Sequence, residues 1–304
     1  PPRLWAMMGA AVVLLGLFVV VERRLLRSGG APLLRLDLFA SRRFSVGLLL
    51  SLLFFSVFAG FFFTVSVATQ FGLGYSALRT GLLALPFAIG AAAGSIASPL
   101  LVRRLGPART LCIGVLILSA GLAWLAAELE PQSASLSVAA VIAPLVVGGI
   151  GTGFFIAPLQ TAILSDTNEQ NIGSASGCVP TVQQIGASIG LAVVTIFFFG
   201  QVSAQSVEAV PAARAELSSA LESTDVDPMF RSAVADRFAD CASAQLSSAH
   251  PERPAPGCST SGSAQQGVAA TVARQAAPEL KIAGRHVAAQ SFMGAFRATL
   301  WVLA

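Results

Sequence analysis

The chain has 304 residues, 55% of them hydrophobic and 11% charged, with a mean hydropathy of +0.75 and a formal net charge of +4. Soluble domains of average composition carry about 25% charged residues, so a soluble enzyme with a polar shell is excluded. The basic surplus invites a nucleic-acid reading, which has to be tested against where the charges sit.

Six apolar runs follow in chain order: Leu4 to Val21, Phe44 to Ala68, Gly81 to Val102, Thr110 to Ala127, Leu136 to Leu164 and Gly173 to Gly200. None carries Asp, Glu, Lys or Arg away from its ends. A membrane helix needs about 20 residues to cross about 30 Å of hydrocarbon, and these runs are too long for buried strands. Helices satisfy their own backbone in lipid, so the expected fold is an all-α polytopic membrane protein. A seventh run begins near Ser291 and is cut off at Ala304. The first run lacks the basic flank and small-residue cleavage pattern of a signal peptide. With no methionine before Pro1, the sequence reads as an internal fragment of a longer chain.

Arginine placement orients the spans, because cytoplasmic loops collect positive charge. The connection from Glu22 to Arg43 holds six arginines, Arg23, Arg24, Arg27, Arg35, Arg42 and Arg43, and the next on that side holds Arg103, Arg104 and Arg109. The opposite loops offer only Arg3 and Arg79, beside Glu128 and Glu130. The loops after the first, third and fifth spans are therefore expected in the cytoplasm. Residues 1–200 carry a net charge of +5, and 201–290 carry −2. The surplus is thus a record of topology, and no nucleic-acid partner is expected.

Residues 201–290 form a second compositional territory, read as an extracytoplasmic loop that is partly helical. Phe230, Val234, Phe238 and Cys241 recur at helical spacing and predict a short amphipathic helix. Pro251, Pro254, Pro256 and Gly257 mark a loop after it. Cys241 and Cys258 lie in a compartment that permits a disulfide, which would contribute about 3 kcal/mol in the chain-entropy model. Two unpaired thiols are the other reading. The domain boundaries expected are 1–43 for the first helix and its arginine-rich connection, 44–200 for five spans, 201–290 for the external segment and 291–304 for the start of a last span.

Within the spans the informative residues are small or polar. G-x-x-x-G spacing occurs at Gly90/Gly94, Gly149/Gly153, Gly173/Gly177 and Gly186/Gly190, which predicts close helix contacts. The fourth span is apolar nearly all round and is expected to face lipid. On the sixth, Ser174, Gly177, Thr181, Gln184, Ser188 and Thr195 share one stripe. The fifth has Gly149, Thr152, Gly153, Ile156 and Gln160, and the second Ser56, Gly60, Phe63, Val67 and Gln70. Such stripes either bond to a helix, their own included, or line a water-accessible path. Pro86 and Pro158 each remove a helical hydrogen bond.

Several chemistries lack their residues. There is no phosphate loop for ATP, no metal-binding HExxH or CxxC, and no intramembrane Asp, Glu or His; His250 and His286 lie in the external segment. No catalytic residue, metal site or cofactor is expected.

Four stretches resemble the 14-helix drug:proton antiporters of the major facilitator superfamily. They are Pro32 through Asp37 and Arg42-Arg43 to Phe44; Gly72-Leu-Gly-Tyr-Ser76 with Gly81 to Pro86; Gly148 to Gly153 leading to Pro158-Leu-Gln160; and Ser176 to Gly186, reading S-G-x-x-x-T-x-Q-Q-x-G. The resemblance covers roughly residues 1–200 and identifies the spans with family helices eight to fourteen. It implies proton-coupled multidrug efflux across the cytoplasmic membrane by two rocking halves, driven by a proton gradient rather than a bound cofactor. The implied partners are the lipid bilayer, a small-molecule substrate and a missing N-terminal half that carries the proton-coupling carboxylates. The second and fifth spans would line the cavity and the sixth would flank the other half, which gives Phe63, Gln70, Thr152, Gln160, Thr181 and Gln184 as candidate cavity residues. The family's cytoplasmic loop signature is represented by Arg103, Arg104, Gly106 and Arg109, with Arg103 where the family has Asp and Pro99 where it has Gly. A 12-helix exporter of the same superfamily remains an alternative, as does a membrane receptor or scaffold acting through the external segment.

Overall fold

The computed structural model describes residues 2–27, 36–129, 136–165, 172–248, 258 and 268–304. Eight α-helices run through them: α1 Pro2–Arg27, α2 Arg42–Val67, α3 Ala77–Leu105, α4 Pro107–Glu128, α5 Val138–Ser165, α6 Ile172–Glu222, α7 Pro228–Leu246 and α8 Val268–Leu303. A 3-10 turn, Leu36–Ala40, precedes α2, and a π-helical turn, Ala68–Gly72, extends it. There is no strand among the described residues. The helices α1 to α6 are each long and apolar enough to cross a membrane and coincide with the six apolar runs. The expected proline-rich loop at 251–257, with His250 beside it, lies outside the described residues.

Local chemistry sets the helix ends. Ser76 caps α3, its hydroxyl accepting from the Arg79 N–H at 3.3 Å. Gly106 closes α3 and opens α4 at φ 82°, ψ 162°, a region essentially reserved for glycine, and Pro107 follows at the first helical position. A one-residue hinge therefore reverses the chain. Pro99 leaves the Ser95 carbonyl without its helical donor, and the buried Ser98 hydroxyl donates to that carbonyl at 3.0 Å.

Ordinary apolar side chains gain little by leaving lipid for a neighbouring helix, so close backbone approach has to hold the bundle. Glycine supplies it. Gly90 and Gly94 of α3 face the Val146 and Ile150 carbonyls of α5, while Gly149 and Gly153 of α5 face Phe87 and Ala91 of α3 in return. The ascending order on both helices makes them parallel neighbours. On its other side α5 meets α4 antiparallel, where a Cβ on Gly114 would come within 2.8 Å of the Phe155 nitrogen and one on Gly121 within 2.5 Å of the Gly148 nitrogen. A second parallel pair forms where Gly186 and Gly190 of α6 abut the Leu52 and Ser56 carbonyls of α2. Three of the four G-x-x-x-G pairs are thus contacts. The fourth is not: a Cβ on Gly173 or Gly177 would meet nothing within 4 Å.

Two apolar cores stack along the bundle. Near the arginine-bearing end, Leu48, Phe54, Phe155, Leu159 and Ile163 pack between α2 and α5, joined by Cys178 and Val179 of α6. Towards the distal end, Phe61, Phe87, Leu122, Leu145, Phe198 and Phe296 bring α2, α3, α4, α5, α6 and α8 together. The fourth span does not simply face lipid: α4 buries Gly114, Gly121, Leu122, Leu125 and Ala126. The least covered helix is α1, with 6% of its apolar window buried.

The largest departure from the sequence reading lies beyond the bundle. Helix α6 has 51 residues, a rise of about 76 Å, more than twice a hydrocarbon core. Its distal half, α7 and the first half of α8 form a helical assembly with its own core of Leu217, Leu221, Val226, Ala235, Ala276 and Ala283. Asp227 caps α7 by accepting from the Met229 N–H at 3.0 Å, and Pro228 follows it. Arg214 of α6 donates to Asp236 of α7 at 2.7 Å. Cys241 and Cys258 are joined by a disulfide. The described part of 201–290 is therefore almost wholly helical, and helices cross both of its expected boundaries. Ser291, where the last apolar run begins, lies well inside α8.

Candidate functional site

Contacts between helices fix the depth of each candidate residue. Gly186, Gly190 and Val194 of α6 lie level with Leu52, Ser56 and Gly60 of α2, while Ile163 and Phe155 of α5 lie level with Gly47 and Phe54. Extrapolating along these registers puts Thr181, Gln184 and Gln160 at one depth, around Leu50. Gln70 sits about 20 residues further along α2, about 30 Å away. The six candidates therefore do not form one cluster.

Three gather near the arginine-bearing end. Gln160 on α5, with Thr181 and Gln184 on α6, is exposed. The Thr181 hydroxyl donates to the Gly177 carbonyl at 2.9 Å, so it is satisfied within its own helix. Ser188 and Thr195 do the same, to Gln184 and Leu191. Back-bonding thus accounts for these hydroxyls, whereas the Gln160 and Gln184 amides have no hydrogen-bond partner among the described residues. An amide left unpaired in lipid is costly, so those two side chains call for another helix or for water.

The other three lie elsewhere. Thr152 is 2% exposed, and its hydroxyl has no partner among the described residues. Phe63 is half-buried with its ring 6.5 Å from Phe198. Gln70 occupies the π-helical turn and donates to the Ser66 hydroxyl at 2.6 Å. The stripes that grouped these residues also divide. Gly149 and Gly153 pack on α3 rather than on a cavity, Gly60 on Val194, and the Ser56 hydroxyl donates across to the Gly186 carbonyl at 2.7 Å. In an apolar medium a hydroxyl and a glycine mark a helix contact as readily as a path.

Sequence reasoning missed two polar features. The Ser51 hydroxyl, 1% exposed and without a partner among the described residues, lies on α2 at nearly the depth of Gln160 and Gln184. Thr69 and Thr80, both buried, share a hydrogen bond of 3.0 Å that ties the end of α2 to α3. A threonine four residues before a loop and another four after it is the signal that could have found that tie. Arg103, Arg104 and Arg109 are exposed around Gly106 and make no ion pair among the described residues. The Thr110 hydroxyl donates to the Gly106 carbonyl at 2.9 Å and so braces the turn.

Comparisons with known proteins bear on the family of the chain. The profile of the Major Facilitator Superfamily matches residues 4–191. A probable actinorhodin transporter of Streptomyces coelicolor is 30% identical over 306 residues, covering 98% of this chain and 51% of that protein. The multidrug resistance protein Stp of Mycobacterium tuberculosis is 30% identical over 78% of the chain and 40% of its own length. The cephamycin export protein CmcT of Amycolatopsis lactamdurans is 33% identical over 58% of the chain and 35% of its own. The chain thus spans about half, or less, of the relatives it matches. Its six apolar helices make it a multi-pass membrane protein, and its kinship is with transporters rather than enzymes. On the glycine-packed bundle and the match over residues 4–191, the chain belongs to the Major Facilitator Superfamily.

Proposed function

We propose that this chain is the C-terminal half of an exporter that uses the proton gradient to expel drugs or other small amphipathic molecules across the cytoplasmic membrane by alternating access. The observation that carries the reading is the pair of unpartnered amides, Gln160 and Gln184, exposed at one depth on two helices. A second half packed over α5 and α6 with water between would meet their need for hydrogen bonds, and a substrate with polar groups could replace that water. Thr181 flanks the same surface, Thr152 backs it from within, and Phe63 and Gln70 would be met later along the path. The relatives named for actinorhodin transport, cephamycin export and multidrug resistance support outward transport. The arginines at the Gln160 end support placing that end in the cytoplasm. None of the six apolar runs carries Asp, Glu, Lys, Arg or His away from its ends, and the stretch from Ser291 adds Arg297 but no carboxylate, so proton coupling is assigned to the other half.

The test is substrate accumulation in cells expressing the full-length transporter, with and without a proton uncoupler. Gln160→Ala with Gln184→Ala should slow efflux about tenfold, the loss expected for about one charge-free amide contact, while leaving protein levels unchanged. Unchanged efflux and substrate range would reduce both residues to packing, and efflux indifferent to the uncoupler would remove the proton.

A further inference from the structure

A cleft of about 650 Å³ opens where the distal end of α2 meets α8. Its lining falls into two kinds. Phe71, Leu73 and Ile282 give it an apolar side, and Lys281, Arg285 and His286 a basic one. Among the described residues no carboxylate lines it, although the segment 201–290 as a whole is acidic. The neighbouring cleft between α6 and α7 contrasts with it, since there Arg214 is balanced by Asp240 on the wall and by Asp236, to which it is bonded. His286 is engaged by the Glu216 carboxylate at 3.3 Å across the α6–α8 contact, whereas Lys281 and Arg285 are exposed and make no ion pair or hydrogen bond among the described residues. Phe71 is 62% exposed and has one aromatic neighbour, Phe292, at 6.3 Å.

Depth gives the cleft its meaning. The apolar stretch of α8 begins at Ser291, and Arg285 stands six residues before it, a rise of about 9 Å. Each headgroup layer of a bilayer adds about 5–8 Å to the hydrocarbon, so Arg285 reaches the level of lipid phosphates, Phe71, stacked beside Phe292, lies at the hydrocarbon boundary, and Lys281 and Ile282 stand about one helical turn further out. A guanidinium and an ammonium one helical turn apart suit one phosphate or carboxylate, the fork binding in two-pronged fashion and the lysine as a point charge. The volume is in the range of small-molecule sites.

We infer that this cleft binds one anionic amphiphile, its phosphate or carboxylate head on Lys281 and Arg285 and its hydrocarbon on Phe71 and Leu73. The chemistry is common to an anionic membrane lipid and to a water-borne anionic amphiphile, and it holds whichever compound the transporter exports.

Two arms on the full-length protein test the site and separate the sources. In nanodiscs of phosphatidylcholine with a minor fraction of phosphatidylglycerol, native mass spectrometry counts retained phosphatidylglycerol. In nanodiscs of phosphatidylcholine alone, dodecyl phosphate is titrated. The expected result is saturation at one ligand per protein in at least one arm, weakened about tenfold in Lys281→Gln/Arg285→Gln, restored in Lys281→Arg/Arg285→Lys and reduced in Phe71→Ala. Retention in the first arm identifies a resident lipid, and saturation confined to the second a ligand from the water. Should the Gln variant fail to fold, saturable displacement of phosphatidylglycerol by dodecyl phosphate from the unaltered protein supports the site. Binding that does not saturate, or is equal in the unaltered and Gln proteins in both arms, overturns it.

Discussion

Helices α5 and α6 are both rich in glycine and small polar residues, yet the structure uses them in opposite ways. Helix α5 is enclosed: Gly149 and Gly153 lie on α3, Gly148 and Gly151 on α4, and Phe155, Leu159 and Ile163 on α2. Half of its apolar window is buried, 50% against 28% for α6. Helix α6 touches α2 along one edge through Gly186 and Gly190 and leaves its Thr181–Gln184–Ser188 strip open. One helix is the post of this bundle, and the other presents a face. Glycine content alone does not tell them apart; what the opposing helix places against each glycine does.

The sharpest way to break the comparison is to fill the glycine contacts of each helix. Gly151→Leu would drive a side chain into the α4 backbone at Ile117 and Leu118, and Gly186→Leu into the α2 backbone at Leu52. Each should cost about 3 kcal/mol or more, because the atoms met are backbone and cannot move aside cheaply. Thermal unfolding of the purified full-length protein, followed by size-exclusion fluorescence, measures it. Survival of Gly151→Leu at the original melting temperature would contradict the sandwich.

The next effect concerns α6 beyond the bundle. Cys241→Ser removes a link across a separation of 17 residues and should destabilise the distal helical assembly by about 3 kcal/mol in the chain-entropy model. Hydrogen exchange should then rise in α7 while α5 stays protected. A uniform rise through the bundle would show that the two regions unfold as one.

The smallest effect belongs to the glycines that meet nothing. Gly173→Ala and Gly177→Ala should leave the melting temperature within experimental error or raise it slightly, since alanine favours the helix by about 1 kcal/mol at each site. A marked loss in the isolated half would reveal a contact on that face, and a loss seen only in assembled transporter would place the other half there.

Much of the fold could be read from the sequence because hydrocarbon imposes a length and an all-helical backbone on any span. The six runs, the Gly90/Gly94 contact and the pairing open to Cys241 and Cys258 follow from such local rules. The candidate site was less legible. Gly149 and Gln160 share a face of α5 by helical geometry, but whether α3 covers that face depends on partners that no single-helix pattern contains. Gln70 resembles Gln184 in sequence and differs in having Ser66 within reach on a widened turn. The distal assembly was hidden for a related reason. Its core is built from alanines as much as leucines, so composition resembles a loop where the helices pack.

The central claim is that the open strip of α6 faces a water-filled path between two halves. The direct measurement is thiol reactivity in the full-length transporter, on a background of Cys112→Ser and Cys178→Ser, using a charged methanethiosulfonate that does not enter lipid. Gln184→Cys should react, and more slowly when transported substrate is present, while Ile196→Cys, 77% exposed on α6, should stay unreactive because lipid covers it. If Gln184→Cys proves as inert as Ile196→Cys, the strip faces lipid or a dry helix contact, and the proposed path does not run along α6.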